Sequence, residues 1–190
     1  MNMSDTNPTT PDIPQLQQAL ADAREAGGME YPTFITTGAD RFAVLPPISF
    51  KPDIESLTVH EFAHQYFQGL LASNEFEEAW LDEGLASYTE VACLTDMAAD
   101  GLLPKPARFS FWGAERVSLA LSEQRVRPAT AAWDFVDGDS YFVGSYTRPA
   151  LVLRTVENLI GRRAMARGLR AYVERHRFSH PSGRDLVAAL

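Results

Sequence analysis

Two histidines four positions apart, in the segment His60-Glu61-Phe62-Ala63-His64, constrain this chain more than any other feature. On an α-helix, residues four apart lie on the same face, so both imidazoles can reach one metal ion. Glu83 follows after eighteen intervening residues, within Trp80-Leu81-Asp82-Glu83-Gly84. Two histidines and one glutamate are a standard ligand set for zinc in a catalytic site. The spacing therefore predicts two adjacent helices that bring His60, His64 and Glu83 to a single Zn²⁺ ion.

Glu61 lies one position round the helix from His60, beside the expected ion. Zinc lowers the pKa of a water molecule that it binds from about 15.7 to roughly 7. A carboxylate within hydrogen-bonding distance can then take the proton, so we predict that Glu61 is the general base. The alternative is a pair of ordinary histidines on an amphipathic helix, and the downstream Glu83 makes it much less favourable.

The surrounding patterns indicate a helix on each side of the expected ion. Around the histidines, apolar residues recur at offsets of three and four, with Ser56 as the candidate N-cap. The predicted buried stripe is Val59, Phe62, Ala63, Tyr66, Phe67 and Leu70. A second helix, from about residue 79 to 99, would carry Glu83. Metal-bound imidazoles usually donate their other N–H to a carboxylate, and Asp82 or Glu90 is the candidate, with a solvated surface position as the alternative for Glu90.

These segments, together with Gly27-Gly28-Met29-Glu30-Tyr31, resemble the zinc aminopeptidases of the aminopeptidase N type, a branch of the gluzincin metallopeptidases. The resemblance implies a thermolysin-like catalytic domain of the α+β class, mostly helical, with a small or truncated β-sheet at its N-terminal side. It also implies that Glu30 binds the free amino terminus of a peptide and that Gly28 and Met29 line the substrate cleft. Tyr31 stands where the family has asparagine.

A second part of the resemblance lies in Ser145-Tyr146-Thr147-Arg148-Pro149-Ala150, which is similar to the family's Tyr-x-Lys-Gly-Ala segment. It implies that the hydroxyl of Tyr146 stabilises the oxyanion, a contribution of a few kcal/mol from a donor in that place. Tyr141 is the alternative donor. Pro149 fits the first turn of a helix, where its missing N–H has no cost.

The remaining patterns describe one domain over residues 15–190, after a lead over 1–14 that is rich in Asn, Thr and Pro and is expected to be disordered. We predict strands over 33–37 and 41–45, helices over 14–26, 108–126, 149–159 and 164–177, and a capping box at Ser182 and Asp185 that opens a last helix. Relatives carry domains before and after this region, so we expect flanking domains or self-association.

The charge and the apolar pattern exclude several classes of function. The chain has 17 basic and 25 acidic residues, a net charge of −8, which argues against nucleic acid and anionic membranes as partners. It shows neither a long apolar run nor a signal peptide, so we predict a cytoplasmic protein. Cys93 is the single cysteine, which excludes an internal disulfide. Its apolar neighbours predict a buried thiol.

The sequence thus predicts a zinc-dependent metallopeptidase, a hydrolase that acts as an aminopeptidase on peptides with a free N-terminus. Two alternatives stay open at this point. One is an endopeptidase, which would not depend on Glu30. The other is a domain that keeps zinc and binds a peptide or partner with little turnover, and the presence of Glu61 and Tyr146 argues against it.

Overall fold

The computed structural model describes residues 28–37, 53–106 and 108–190. Two short strands come first, β1 (Gly28–Met29) and β2 (Thr36–Thr37). The helices that follow are α1 (Asp53–Phe67), α2 (Glu75–Ala99), α3 (Phe111–Leu121), a 3₁₀ turn (Ala132–Asp134), α4 (Gly138–Phe142), a π-helix (Val143–Thr147), α5 (Arg148–Ile160), α6 (Arg162–His176) and α7 (Gly183–Ala189). The described residues are therefore mostly helical with a small sheet on the N-terminal side, as predicted.

The sheet differs from the strands that we predict over 33–37 and 41–45. β1 and β2 pair antiparallel, with Gly28 opposite Thr37 and Met29 opposite Thr36. The predicted strand over 33–37 is therefore wrong for its first three residues. Thr33 has a φ of 65°, and the Phe34 N–H donates to the carbonyl of Tyr31 at 3.0 Å, so the chain turns there. The predicted partner over 41–45 and the predicted helix over 14–26 lie outside the described residues.

Helix α1 buries only part of the predicted stripe. His60, Ala63, His64 and Phe67 are buried, whereas Phe62 and Tyr66 are 55% and 49% exposed. The polar ligands occupy the inward face because α1 packs along α2, whose side chains complete the site. The predicted cap is also wrong: α1 begins at Asp53, so Ser56 lies inside the helix.

Helix α2 forms the centre of the core and contacts both α1 and α5. Asn74 caps it by accepting from the N–H of Phe76 at 3.1 Å. A kink at Glu78, with φ −137° and ψ 58°, separates the first turn from the rest. The predicted helix over 79–99 is the part that follows this kink, and its inward positions, which include Leu81, Leu85, Val91 and Leu94, are almost fully buried.

The chain from Gly138 to Ile160 is helical throughout but changes its winding once. Arg148 donates its N–H to the carbonyl of Val143, five residues back, which is the π-helical pattern. Pro149 follows at once and has no N–H to give to the preceding turn. We ascribe the wider turn to this missing donor. Pro149 lies at the beginning of α5, as predicted, but the helical run does not begin there.

The C-terminal helices follow the sequence closely. α5 ends at Ile160, Gly161 with a φ of 87° is its C-cap, and α6 begins at the next residue. The capping box of Ser182 and Asp185 is confirmed. The predicted helix over 108–126 is shorter, because Ser110 caps α3 by accepting from the N–H of Gly113 at 3.0 Å and α3 ends at Leu121. Within residues 53–106 and 108–190, no helix has an apolar stretch long enough to cross a bilayer.

Candidate metal centre and active site

One cavity of about 800 Å³ contains the candidate site. α1 contributes His60, Glu61 and His64, α2 contributes Glu83, and the π-helix contributes Tyr146. β1 and the residue after it form another wall, with Gly28, Met29 and Glu30. All the predicted site residues therefore line the same cavity.

The two histidines converge on one oxygen of Glu83. Nε2 of His60 lies 3.2 Å from Oε2 of Glu83, and Nε2 of His64 lies 3.3 Å from the same atom. One ligand atom from each of the three residues lies within 4.8 Å of the other two. Ligands that bind zinc at about 2.0–2.1 Å in a tetrahedron are separated by about 3.4 Å. The spacing of these donors therefore fits a zinc ion with a fourth position open.

Each imidazole also has a carboxylate at its other nitrogen. Nδ1 of His60 lies 3.2 Å from Oε2 of Glu90, and Nδ1 of His64 is in close contact with Oδ1 of Asp82. The Ser56 hydroxyl donates to the other oxygen of Glu90. Glu90 thus contacts His60 and Asp82 contacts His64, so both predicted carboxylates lie beside a histidine. Such partners fix which ring nitrogen is presented to a metal ion.

The electrostatics of this group favour a bound cation. Burial alone would lower the pKa of each histidine, but hydrogen bonds to carboxylates outweigh it and raise the pKa of His60 to about 9 and of His64 to about 10. Burial would raise the pKa of Glu83, yet hydrogen bonds from both histidines hold it at about 2. The site therefore stabilises positive charge between the rings, whether as protons or as a metal ion.

Glu61 lies directly against the backbone of β1. It is buried, and a Cβ placed on Gly28 would lie 2.1 Å from its Oε1 atom. Burial raises the pKa of Glu61 to about 7, with the carboxylates of Glu30 and Glu83 adding to the shift and the two histidines opposing it. A pKa close to the working pH suits a group that must both accept and donate a proton.

Tyr146 lies flat between two rings. Its ring stacks on His60 at 5.8 Å and on Phe142 at 4.9 Å, with interplanar angles of 10° and 20°. Burial and the Glu83 carboxylate raise the pKa of its phenol far above the ordinary value, so the hydroxyl keeps its proton. Tyr141 contacts Tyr146 edge-on at 6.1 Å and is not among the residues that line the cavity. Tyr146 is therefore the better placed of the two hydroxyls.

The structure adds cavity residues that the sequence did not reveal. Ser56 was assigned to a cap, while Phe142, Glu75 and Glu115 had no assigned role. Phe142 precedes Tyr146 by four positions, so helical spacing would have placed the two rings together. Glu75 reaches the cavity from the first turn of α2 and Glu115 from the second turn of α3, and neither shows a local sequence pattern that marks it. Cys93, predicted to be buried, is partly buried, and burial raises the pKa of its thiol.

The chain matches the model of the peptidase family M1 domain over residues 4–190. It is 30% identical over 189 residues to aminopeptidase N of Lactobacillus helveticus, which covers 94% of this chain and 22% of that enzyme. Aminopeptidase N of Streptomyces lividans is 28% identical over 143 residues, which cover 73% of this chain and 16% of the enzyme. The chain thus spans less than a quarter of the length of these curated relatives.

Solved structures agree with the sequence relatives. The M1 zinc metallopeptidase of Deinococcus radiodurans is similar with a TM-score of 0.60 and 22% identity, over 85% of this chain and 32% of that one. A mutant of that enzyme bound to a Tyr-Ser-Ala substrate gives a TM-score of 0.61 and 22% identity, over 86% of this chain and 33% of that one. The described residues therefore have the fold of the corresponding third of these structures.

Proposed function

The chain belongs to peptidase family M1, and from that membership and the geometry of its cavity we propose that it is the catalytic segment of a zinc aminopeptidase. The resemblance to the aminopeptidase N type noted in the sequence is confirmed by the family match and by the relatives. Because the chain covers 22% of the first of these enzymes, its own activity is a proposal. We also propose that this segment is a thermolysin-like catalytic domain.

The observation that carries the proposal is the convergence of His60, His64 and Glu83, within 4.8 Å of one another, on one cavity wall beside Glu61. The cofactor is one zinc ion, as in the M1 zinc metallopeptidases to which the chain is similar. When bound, zinc supplies Lewis acidity for the substrate carbonyl and makes a water molecule a stronger acid. The three ligands leave one position for that chemistry.

The chain's own residues supply the other parts of the reaction. Glu61 takes the proton from the attacking water and returns it to the leaving amine. Tyr146 keeps its proton and donates a hydrogen bond to the oxygen that becomes negative in the transition state. Glu30 binds the α-ammonium group of the substrate by a charge-assisted hydrogen bond. Gly28 brings the β1 backbone next to Glu61, and Met29 lines the cleft.

The test is hydrolysis of aminoacyl-aminomethylcoumarin substrates by the purified chain, with zinc quantified in every sample. Glu61→Gln is expected to lose activity while it retains zinc, since the isosteric amide cannot accept the proton. Glu30→Ala is expected to lose cleavage of free-amine substrates. An N-acetylated copy of each substrate serves as the control and should not be cleaved by the parent protein.

Other outcomes separate the alternatives. Cleavage of the N-acetylated substrates, unaffected by Glu30→Ala, would indicate an endopeptidase. Zinc bound at one ion per chain without turnover of any substrate would indicate a binding domain. Self-association, flanking domains and a cytoplasmic location stay predictions, and light scattering on the zinc-loaded chain tests the first of them.

A further inference from the structure

The wall of the active-site cavity carries more negative charge than the proposed reaction uses. Six glutamates line it, and no lysine or arginine does so among the described residues. Glu83 binds the metal, Glu61 moves the proton, Glu90 holds His60 and Glu30 takes the substrate ammonium. Glu75 and Glu115 have no part in these steps.

Glu75 lies on the side of the cavity that Glu30 occupies. Burial raises its pKa, and the carboxylate of Glu30 contributes to the increase, followed by that of Glu83. Burial raises the pKa of Tyr141 to about 12, and the neighbouring charges that add to it include those of Glu75 and Glu30. A carboxylate oxygen of Glu30 lies within 4.8 Å of ligand atoms of His64 and Asp82. Glu75 accepts a hydrogen bond from Gln68, which lies one helical turn after His64 at the end of α1. Glu75 and Glu30 are therefore two carboxylates at the His64 end of the cleft.

The position of Glu75 is fixed by a chain of hydrogen bonds. The side-chain amide of Gln68 donates to Oε1 of Glu75, and the hydroxyl of the buried Ser73 donates to the amide oxygen of Gln68 at 3.2 Å. Asn74 caps the same helical turn. Glu75 as a residue is exposed at the rim although its carboxylate is partly desolvated, so a long side chain from the substrate can reach it.

We propose that Glu75 is a specificity-determining residue that makes this active site prefer peptides whose first residue is arginine or lysine. The inference rests on the proposed function, because the metal ligands and Glu30 are what place the first residue of a substrate at this end of the cavity. Glu30 binds the α-ammonium group, and Glu75 binds the cationic end of the side chain. A negative cleft also attracts a dication more strongly than a monocation before contact is made.

The experiment compares substrates that differ only in charge. Hydrolysis of arginyl- and citrullinyl-aminomethylcoumarin is measured with the zinc-loaded full chain. Citrulline has nearly the shape of arginine without its charge. Lysyl and norleucyl substrates form a second pair. The ratio of kcat/KM for the arginine substrate to that for the citrulline substrate is expected to fall about fivefold in Glu75→Gln, because an exposed ion pair contributes about that factor to binding. The change is expected mainly in KM. The citrulline value should not change.

Two variants serve as controls. Glu77→Gln removes a charge from the same helical turn outside the cavity and should leave the ratio unchanged. Glu115→Gln removes the same charge from the cavity wall on α3 and should change the ratio less than Glu75→Gln does. A ratio that Glu75→Gln leaves unaltered, or that Glu115→Gln alters equally, overturns the role of Glu75.

Failure of the proposed function can be distinguished from failure of this inference. If no substrate is turned over, calorimetry with free L-arginine and L-citrulline on the zinc-loaded protein still measures the preference. Tighter binding of arginine that weakens about fivefold in Glu75→Gln supports the role of Glu75 without any catalysis. Equal binding of the two amino acids overturns it.

Discussion

The carboxylate of Glu61 lies so close to Gly28 that no larger residue can replace that glycine without moving the carboxylate. A Cβ at position 28 would lie 2.1 Å from Oε1 of Glu61 and 2.7 Å from a methyl carbon of Leu57. Gly28, which lines the cavity, thus also makes room for the proposed general base. The short strand β1 and helix α1 are in contact at this point.

Gly28→Ala is therefore expected to displace Glu61 and to lower kcat/KM by about a hundredfold, the usual effect of a small misplacement of a catalytic group. Zinc content should not change, because the metal ligands are on α1 and α2. Gly138→Ala is the matched control, since a Cβ there meets nothing within 4 Å. Near-normal activity in Gly28→Ala would show that Glu61 does not act from this position.

Zinc binding is expected to release protons. The pKa values of about 9 for His60 and about 10 for His64 mean that both rings are protonated in the metal-free protein at pH 7. Zinc must displace these protons, so about two are released per ion and the apparent affinity rises as the pH rises. Calorimetry in buffers of different ionisation enthalpy counts them.

Ordinary histidines provide the reference for that count. Two rings with a pKa of 6.5 would release only about 0.5 proton in total at pH 7. A measured value near that number would mean that the carboxylates of Glu83, Glu90 and Asp82 do not hold the imidazoles in their charged form.

Asp82→Asn is expected to weaken zinc binding by about 10- to 100-fold, as is usual when the partner of a ligand histidine is altered. Asp82 is buried and contacts Nδ1 of His64, and burial raises its own pKa to about 6. Competition with a chelator measures the affinity. Asp96→Asn is the control on the same helix, because Asp96 pairs with Arg162 away from the site. Equal affinities of Asp82→Asn and the parent would contradict this role.

The cluster of His60, His64 and Glu83 could be predicted from the sequence because its formation depends on local spacing. His60 and His64 share one helical turn, and Glu83 follows in a second helix that must pack on the first to bury its apolar side. Asp82 and Glu90, which contact the Nδ1 atoms of the two histidines, lie one and seven positions from Glu83, so the same helix brings them to the site. These features need only the helical repeat and one packing contact.

Tertiary packing determined what the sequence could not reveal. The buried face of α1 carries the two histidines, so an apolar-stripe rule placed Phe62 and Tyr66 inside when both are exposed. The pairing of β2 with β1 and the contact of Gly28 with Glu61 join segments that are separated in sequence. The close approach of Gly84 on α2 to Pro149 on α5 also joins segments that are far apart in the sequence.

Gly84→Ala tests that last contact. A Cβ at position 84 would lie 2.7 Å from Cβ of Pro149 and 3.2 Å from the carbonyl oxygen of Ser145. Because these neighbours are a proline ring and backbone, the overpacking is expected at the upper end of the usual range, about 3 kcal/mol, and the better helix propensity of alanine offsets about 1 kcal/mol of it, which leaves a net loss of about 2 kcal/mol. Urea unfolding should show a lower free energy of unfolding. A stability equal to that of the parent would mean that α2 and α5 are less closely packed than the structure shows.

Removal and return of zinc, followed by hydrolysis of a free-amine aminoacyl-aminomethylcoumarin substrate, tests most directly whether this chain is a zinc aminopeptidase. Activity is expected to fall in proportion to the zinc that a chelator removes and to return fully at one zinc ion per chain. His60→Ala, which lacks one of the three proposed ligands, is not expected to be restored by the same addition. Activity that persists in the metal-free chain, or that His60→Ala regains at one zinc ion per chain, would contradict this function.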